Sequence, residues 1–140
     1  MKPNQIRWGL ALGGALVAFV VQIAAAFAWV TIYSYVLHPG ESLAFYQQYA
    51  LTASPWVSIV LGFPFFYLGC RWIGSRSPTS AWHTAMGLFG IYLVIDIPFL
   101  LFGGNPTMAL WIPPISYALK FLGCYFGGRS AARARIPQPA

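Results

Sequence analysis

The chain has 140 residues, 59% of them hydrophobic and only 7% charged, with a net charge of +6. A soluble domain carries roughly a quarter charged residues, so this pool cannot clothe a water-facing surface. The basic excess is not the footprint of a nucleic-acid binder, because the charges fall beside apolar runs and form no polar face.

Four apolar runs stand out, at about 8–37, 55–73, 81–102 and 107–126. Each is long enough for a ~30 Å hydrocarbon core, which takes about 20 helical residues. Lys2 and Arg7 precede the first run, Arg71 and Arg76 lie between the second and third, and Arg129, Arg133 and Arg135 follow the fourth. The other two connections carry no Lys or Arg. Basic loops stay cytoplasmic, so the pattern predicts four passes with both termini inside. The expected fold is an all-α integral membrane four-helix bundle, one membrane domain over 1–140. A prokaryotic inner membrane is the natural setting for so short a chain.

Run one, Trp8 to Leu37, would reach about 45 Å as a helix and must tilt or project. Lys2, Arg7 and a later Ala26-Phe27-Ala28 also have the form of a cleavable signal. The apolar stretch continues unbroken to Leu37, so a retained anchor is expected. His38-Pro39-Gly40 supplies the stop. Residues 38–54 form an outer loop whose segment Glu41 to Leu51 is expected as a short helix at the membrane surface. Ser54-Pro55 then reads as cap and first residue of run two. Gly74 is the expected stop, and Pro64 should bend the run. Run three ends at Gly103-Gly104. Asn105-Pro106 repeats the cap-plus-Pro start for run four, which Pro113-Pro114 should bend and Gly127-Gly128 stop. A short connection makes runs three and four an antiparallel hairpin. The basic tail 127–140 is cytoplasmic.

Leu68-Gly69-Cys70 recurs as Leu122-Gly123-Cys124, and Trp82, Ala85 and Gly87 answer Trp8, Ala11 and Gly13. A duplicated helical hairpin would produce this pattern. Small residues mark close helix approach, and Gly9, Gly13, Gly62 and Gly69 are the expected packing positions. Cys70 and Cys124 fall near cytoplasmic helix ends, where thiols stay reduced, so two inert thiols are expected.

Asp96 is the sharpest residue, an acid deep in Ile91-Tyr92-Leu93-Val94-Ile95-Asp96-Ile97-Pro98. A charged Asp at helix centre costs about 2.5–3.5 kcal/mol, so it faces the bundle and has a partner. It is either a protonatable coupling site or a cap for a segment restarting at Pro98, with Thr31, Ser34, Tyr35, Ser58 and Trp111 as alternative partners. Lys120 is the one base inside a run, and its stem is expected to snorkel inward. By the expected helix ends, about 13 Å of helical rise separates it from Asp96, too far for a pair. His38 and Glu41 are polar residues at the outer mouth, too few for a metal site.

No catalytic set, metal site or cofactor is expected, and the chain is not read as an enzyme. The partners expected are the lipid bilayer and a second copy or a larger membrane protein, with no nucleic acid. The leading expectation is a non-catalytic assembly or accessory module. The alternative is a small oligomeric transporter or channel built around Asp96.

Overall fold

A computed structural model of the chain describes residues 5–77, 79–103 and 109–134. They form four helices: α1 (Trp8–Ile32), which continues through a π-helical turn (Tyr33–Leu37), α2 (Leu43–Ser75), α3 (Ala81–Gly103) and α4 (Ile112–Arg133). Trp8–Leu37, Leu43–Ser75 and Ala81–Phe102 are each long and apolar enough to cross a membrane.

The distribution of side chains is the reverse of a soluble protein's. Much of the buried hydrophobic set is small, including Ala11, Ala15, Ala53, Ala81, Ala85 and Ala131. Large residues such as Trp8, Leu12, Val17, Val20 and Leu101 face outward, while Thr84, Ser116 and Lys120 are buried. Apolar attraction does not drive helices together in lipid, so close backbone approach and internal polar bonds must.

α2 and α4 make the most extensive contact in the fold. They run parallel: Ser58 meets Ser116, Gly62 meets Lys120, Cys70 meets Cys124, and Gly74 meets Ala131. The approach depends on two glycines of α4. A Cβ on Gly123 would stand 2.7 Å from the Phe63 carbonyl oxygen, and one on Gly127 would press into the Tyr67 carbonyl. α1 packs on α2 and α3, where Gly14 receives Ile73 and Leu88.

Several expectations are corrected. Residues 38–54 do not hold a separate surface helix. α2 runs unbroken for 33 residues from Leu43, through Pro55 and Pro64. The cap is Ser42, whose hydroxyl accepts from the Phe45 amide at 3.3 Å. Ser54 turns back on the Ala50 carbonyl at 2.7 Å instead. Tertiary contacts hold this extension: the Trp29 indole donates to the Tyr49 hydroxyl at 3.0 Å, and Tyr33 stacks on Tyr49. Gly40, at φ 94°, takes the left-handed turn between the two helices.

α4 starts at Ile112, so Pro113-Pro114 lie in its first turn, where their missing amides break no helical bond. The expected start at Asn105-Pro106 lies outside the described residues. Gly127-Gly128 do not stop the helix; they admit α2 and α3 against it. Of the expected packing glycines, only Gly62 meets another helix. Gly9, Gly13 and Gly69 have nothing within 4 Å of a would-be Cβ.

The two cysteines are not free thiols. Cys70 and Cys124 are joined as a disulfide, with Cα atoms 5.1 Å apart and both residues fully buried. Proximity of the helix ends to a reducing compartment argued for thiols, but the close α2–α4 contact brings the residues together and shields them from it.

Two outcomes follow. Protein purified without reductant should take up no maleimide after unfolding, and two equivalents after reduction; labelling without reduction would refute the bond. Gly127→Ala should lower stability by about 1–3 kcal/mol through overpacking, while Gly9→Ala and Gly13→Ala stay within about 0.5 kcal/mol, measured by thermal unfolding in detergent.

Candidate functional site

A cavity of about 620 Å³ opens between the four helices at the end away from Arg7, Arg76 and Arg133. α1 contributes Gln22, α2 Ser58, α3 Asp96, and α4 Ser116, Tyr117 and Lys120. These residues form the deep end. Toward the mouth the lining turns apolar, with Phe27, Val30, Leu51, Leu100 and Ile112. The mouth lies where the longer α1–α2 hairpin rises past the shorter α3–α4 hairpin.

The polar floor follows from helical spacing. Tyr92 and Asp96 are four apart on α3, and Tyr117 and Lys120 three apart on α4, so each pair shares one helix face. The antiparallel α3–α4 hairpin lays these faces together in crossed register. The Lys120 ammonium donates to the Tyr92 hydroxyl at 2.9 Å, and the Tyr117 hydroxyl donates to Asp96 Oδ2 at 2.9 Å. The ammonium lies 4.9 Å from the Tyr92 ring centre, 5.4 Å from Tyr117 and 6.0 Å from Phe66. Aromatic faces attract a desolvated cation. Its stem packs where a Cβ on Gly62 would be, 3.2 Å from Lys120 Cγ. A Cβ there would press the stem aside by a few tenths of an ångström.

Lys120 is therefore not a snorkelling residue: it is 2% exposed. Its expected depth was measured from a helix end at Phe126. Because α4 spans Ile112–Arg133, Lys120 lies about 12 Å from the start of α4, and Asp96 about 10 Å from the matching end of α3. The two charges stand at similar depth and line one cavity. Asp96 caps no new segment, since α3 passes through Pro98 without a break. Its partner is Tyr117, not Thr31, Ser34, Tyr35 or Trp111. Ser58 bonds Ser116 at 3.0 Å.

Below this floor the bundle closes. Phe66, Cys70, Ile73, Leu88 and Cys124 form a dry core, so the cavity is blind at the basic end. Phe66 meets Tyr92 edge to face at 4.7 Å between ring centres, which fixes the Tyr92 hydroxyl under Lys120.

His38 and Glu41 are not part of the cavity. The His38 ring stacks on Tyr33, its carbonyl accepts from Tyr46 at 2.6 Å, and the Glu41 amide donates to the same Tyr46 hydroxyl. They secure the α1–α2 turn. Among the described residues, no group of three or more His, Cys, Asp or Glu is placed to hold a metal ion.

Gln22, Tyr92, Tyr117 and Ser116 are the site residues that sequence spacing alone did not single out. The expected α3–α4 hairpin held the needed signal, because its register pairs Tyr92 with Lys120 and Asp96 with Tyr117. The sequence matches no family model, and no curated protein or solved structure matches it.

Tyr92→Phe removes the ammonium's acceptor and should cost about 1–3 kcal/mol in unfolding free energy. Lys120→Met leaves Asp96 without its balancing charge and should itself be destabilising, by about 3–5 kcal/mol, but in that background Tyr92→Phe should cost little more, since no ammonium is left to lose its acceptor. A Tyr92→Phe loss of the same size with and without Lys120 would contradict this coupling.

Proposed function

We propose that this chain is a small multi-pass membrane protein and that its work is done in the cavity, as a carrier whose coupling group is Asp96. It crosses the bilayer four times with both termini in the cytoplasm, most naturally in a prokaryotic inner membrane. The observation that carries this reading is the hydrogen-bonded floor, in which Asp96, Tyr117 and Lys120 line a cavity and Tyr92 holds Lys120 from beneath. An isolated acid would favour a structural role. An acid within a set of polar groups, facing a space large enough for a solute, favours transfer of a proton or cation. The closed core below the floor argues against a continuously open channel.

The orientation draws support from the basic end. Arg129, Arg133, Ser130 and Tyr67 line a groove of about 760 Å³ beside Phe63 and Phe126. Such a groove suits the headgroup and upper chain of an anionic lipid, the expected neighbour at a cytoplasmic face. No catalytic step is assigned.

A second reading, the non-catalytic assembly module, is favoured by one observation. Gly9 and Gly13 present a small-residue face of α1 that no other helix covers. A second copy or a larger membrane partner would meet the chain there.

The two readings separate on Asp96→Asn. In proteoliposomes under an imposed membrane potential, wild type should take up protons, followed by an entrapped pH dye. The variant should lose that uptake while still folding, because the Asn carbonyl oxygen keeps the acceptor for Tyr117. Equal uptake by both, or none by wild type, would leave the assembly reading in its place.

A further inference from the structure

We infer that the cavity takes an uncharged, hydroxyl-bearing single-chain amphiphile, a long-chain alcohol or its lipid equivalent, inserted head first. This deepens the cavity reading above and rests on it.

The argument begins with the hydrogen bonds of the floor. Lys120 donates to Tyr92, Tyr117 donates to Asp96, and Ser58 and Ser116 satisfy one another. Gln22 is different. Its Oε1 is buried and accepts no bond in the chain, although the residue lines the same cavity. Buried polar atoms without partners are rare and costly, and a carbonyl oxygen can be answered only by a donor. This points to an occupant whose head carries an O–H or N–H.

Charge narrows the class further. The cavity already holds one acid and one base, Asp96 and Lys120, which balance. An ammonium or carboxylate head would add an unmatched charge in apolar surroundings, and that costs several kcal/mol. A neutral hydroxyl adds none. It donates to Gln22 and can accept from the Ser58–Ser116 pair or from Lys120.

The walls supply the tail. Above the floor, Phe27, Val30, Leu51, Leu100 and Ile112 offer a mostly apolar sleeve about 12 Å deep by the helical rise from Gln22 to Val30, with Ser54, Gln47 and Tyr46 as its polar points along α2. A volume of about 620 Å³ lies within the roughly 300–1,000 Å³ of small-molecule sites. A polar solute such as a sugar would leave most of this sleeve unmatched, and a pure hydrocarbon would leave Gln22 unanswered.

The test is photolabelling of the full-length protein in liposomes with a diazirine-bearing tetradecanol, the attachment sites being read by peptide mass spectrometry. Label should concentrate on the peptides holding Phe19–Val30 and Phe99–Leu100. Excess tetradecanol should displace it, while tetradecanoate and tetradecylamine should not. Gln22→Leu should weaken labelling about fivefold, the weight of one hydrogen bond. Ala26→Phe, which fills the sleeve without touching the polar floor, should abolish it at an unchanged thermal midpoint. Label spread over the outer helix faces, equal displacement by acid or amine, or full labelling of Gln22→Leu would each overturn the proposal. Proton uptake bears only on coupling through Asp96: saturable alcohol labelling without uptake would retain the ligand and discard the carrier.

Discussion

A lysine ammonium in the middle of an apolar bundle sets the terms for everything around it. Burial takes it out of bulk water, so the protein must supply an acceptor, a counter-charge and a polarisable lining. Tyr92 is the acceptor, Asp96 provides the balancing charge across the same cavity, and Phe66, Tyr92 and Tyr117 provide ring faces. Each demand fixes a neighbour in turn. Tyr117 must satisfy Asp96, Phe66 must hold Tyr92, and Gly62 must vacate the path of the stem. A polar centre of this kind gives register to helices whose outer surfaces, apolar all round, carry almost none.

The contact that makes this possible is between backbones. Gly123 and Gly127 bring α4 so close to α2 that a single Cβ would collide with α2's carbonyls. Dispersion between such surfaces is short-ranged, so small residues at the seam count for more than large ones outside it. That is why many large apolar side chains face outward while alanines and glycines take so many of the inner contacts.

The sequence showed where apolar helices lie and that Asp96 needs a partner, because both follow from composition and the cost of burying charge. It misled where a local signal had two physical meanings. Ser54-Pro55 has the chemistry of a helix start, yet the aromatic clamp of Trp29, Tyr33 and Tyr49 carries α2 back to Leu43. Gly127-Gly128 has the chemistry of a stop, yet serves as a seam. That reading shortened α4 by about two turns and placed Lys120 near a membrane face it does not approach. Cys70 and Cys124 stood at matching places in a recurring motif, but only the parallel packing of α2 and α4 turns that correspondence into a bond. Gly9 and Gly13 carry the familiar small-residue spacing but meet no other helix, since spacing does not say which face of α1 turns inward.

The disulfide has a mechanical consequence. With α2 and α4 stapled below the cavity floor and interlocked through glycine, they form one rigid post. Access to the blind end cannot come from parting them. Any opening there would have to move α1 and α3, which pack on one another where Gly14 meets Leu88, and would have to free α1 from Ile73 of the post. The polar floor spans the joint between post and arms, with Tyr92 and Asp96 on α3 and Tyr117 and Lys120 on the post, so any such movement would have to break or remake those two hydrogen bonds.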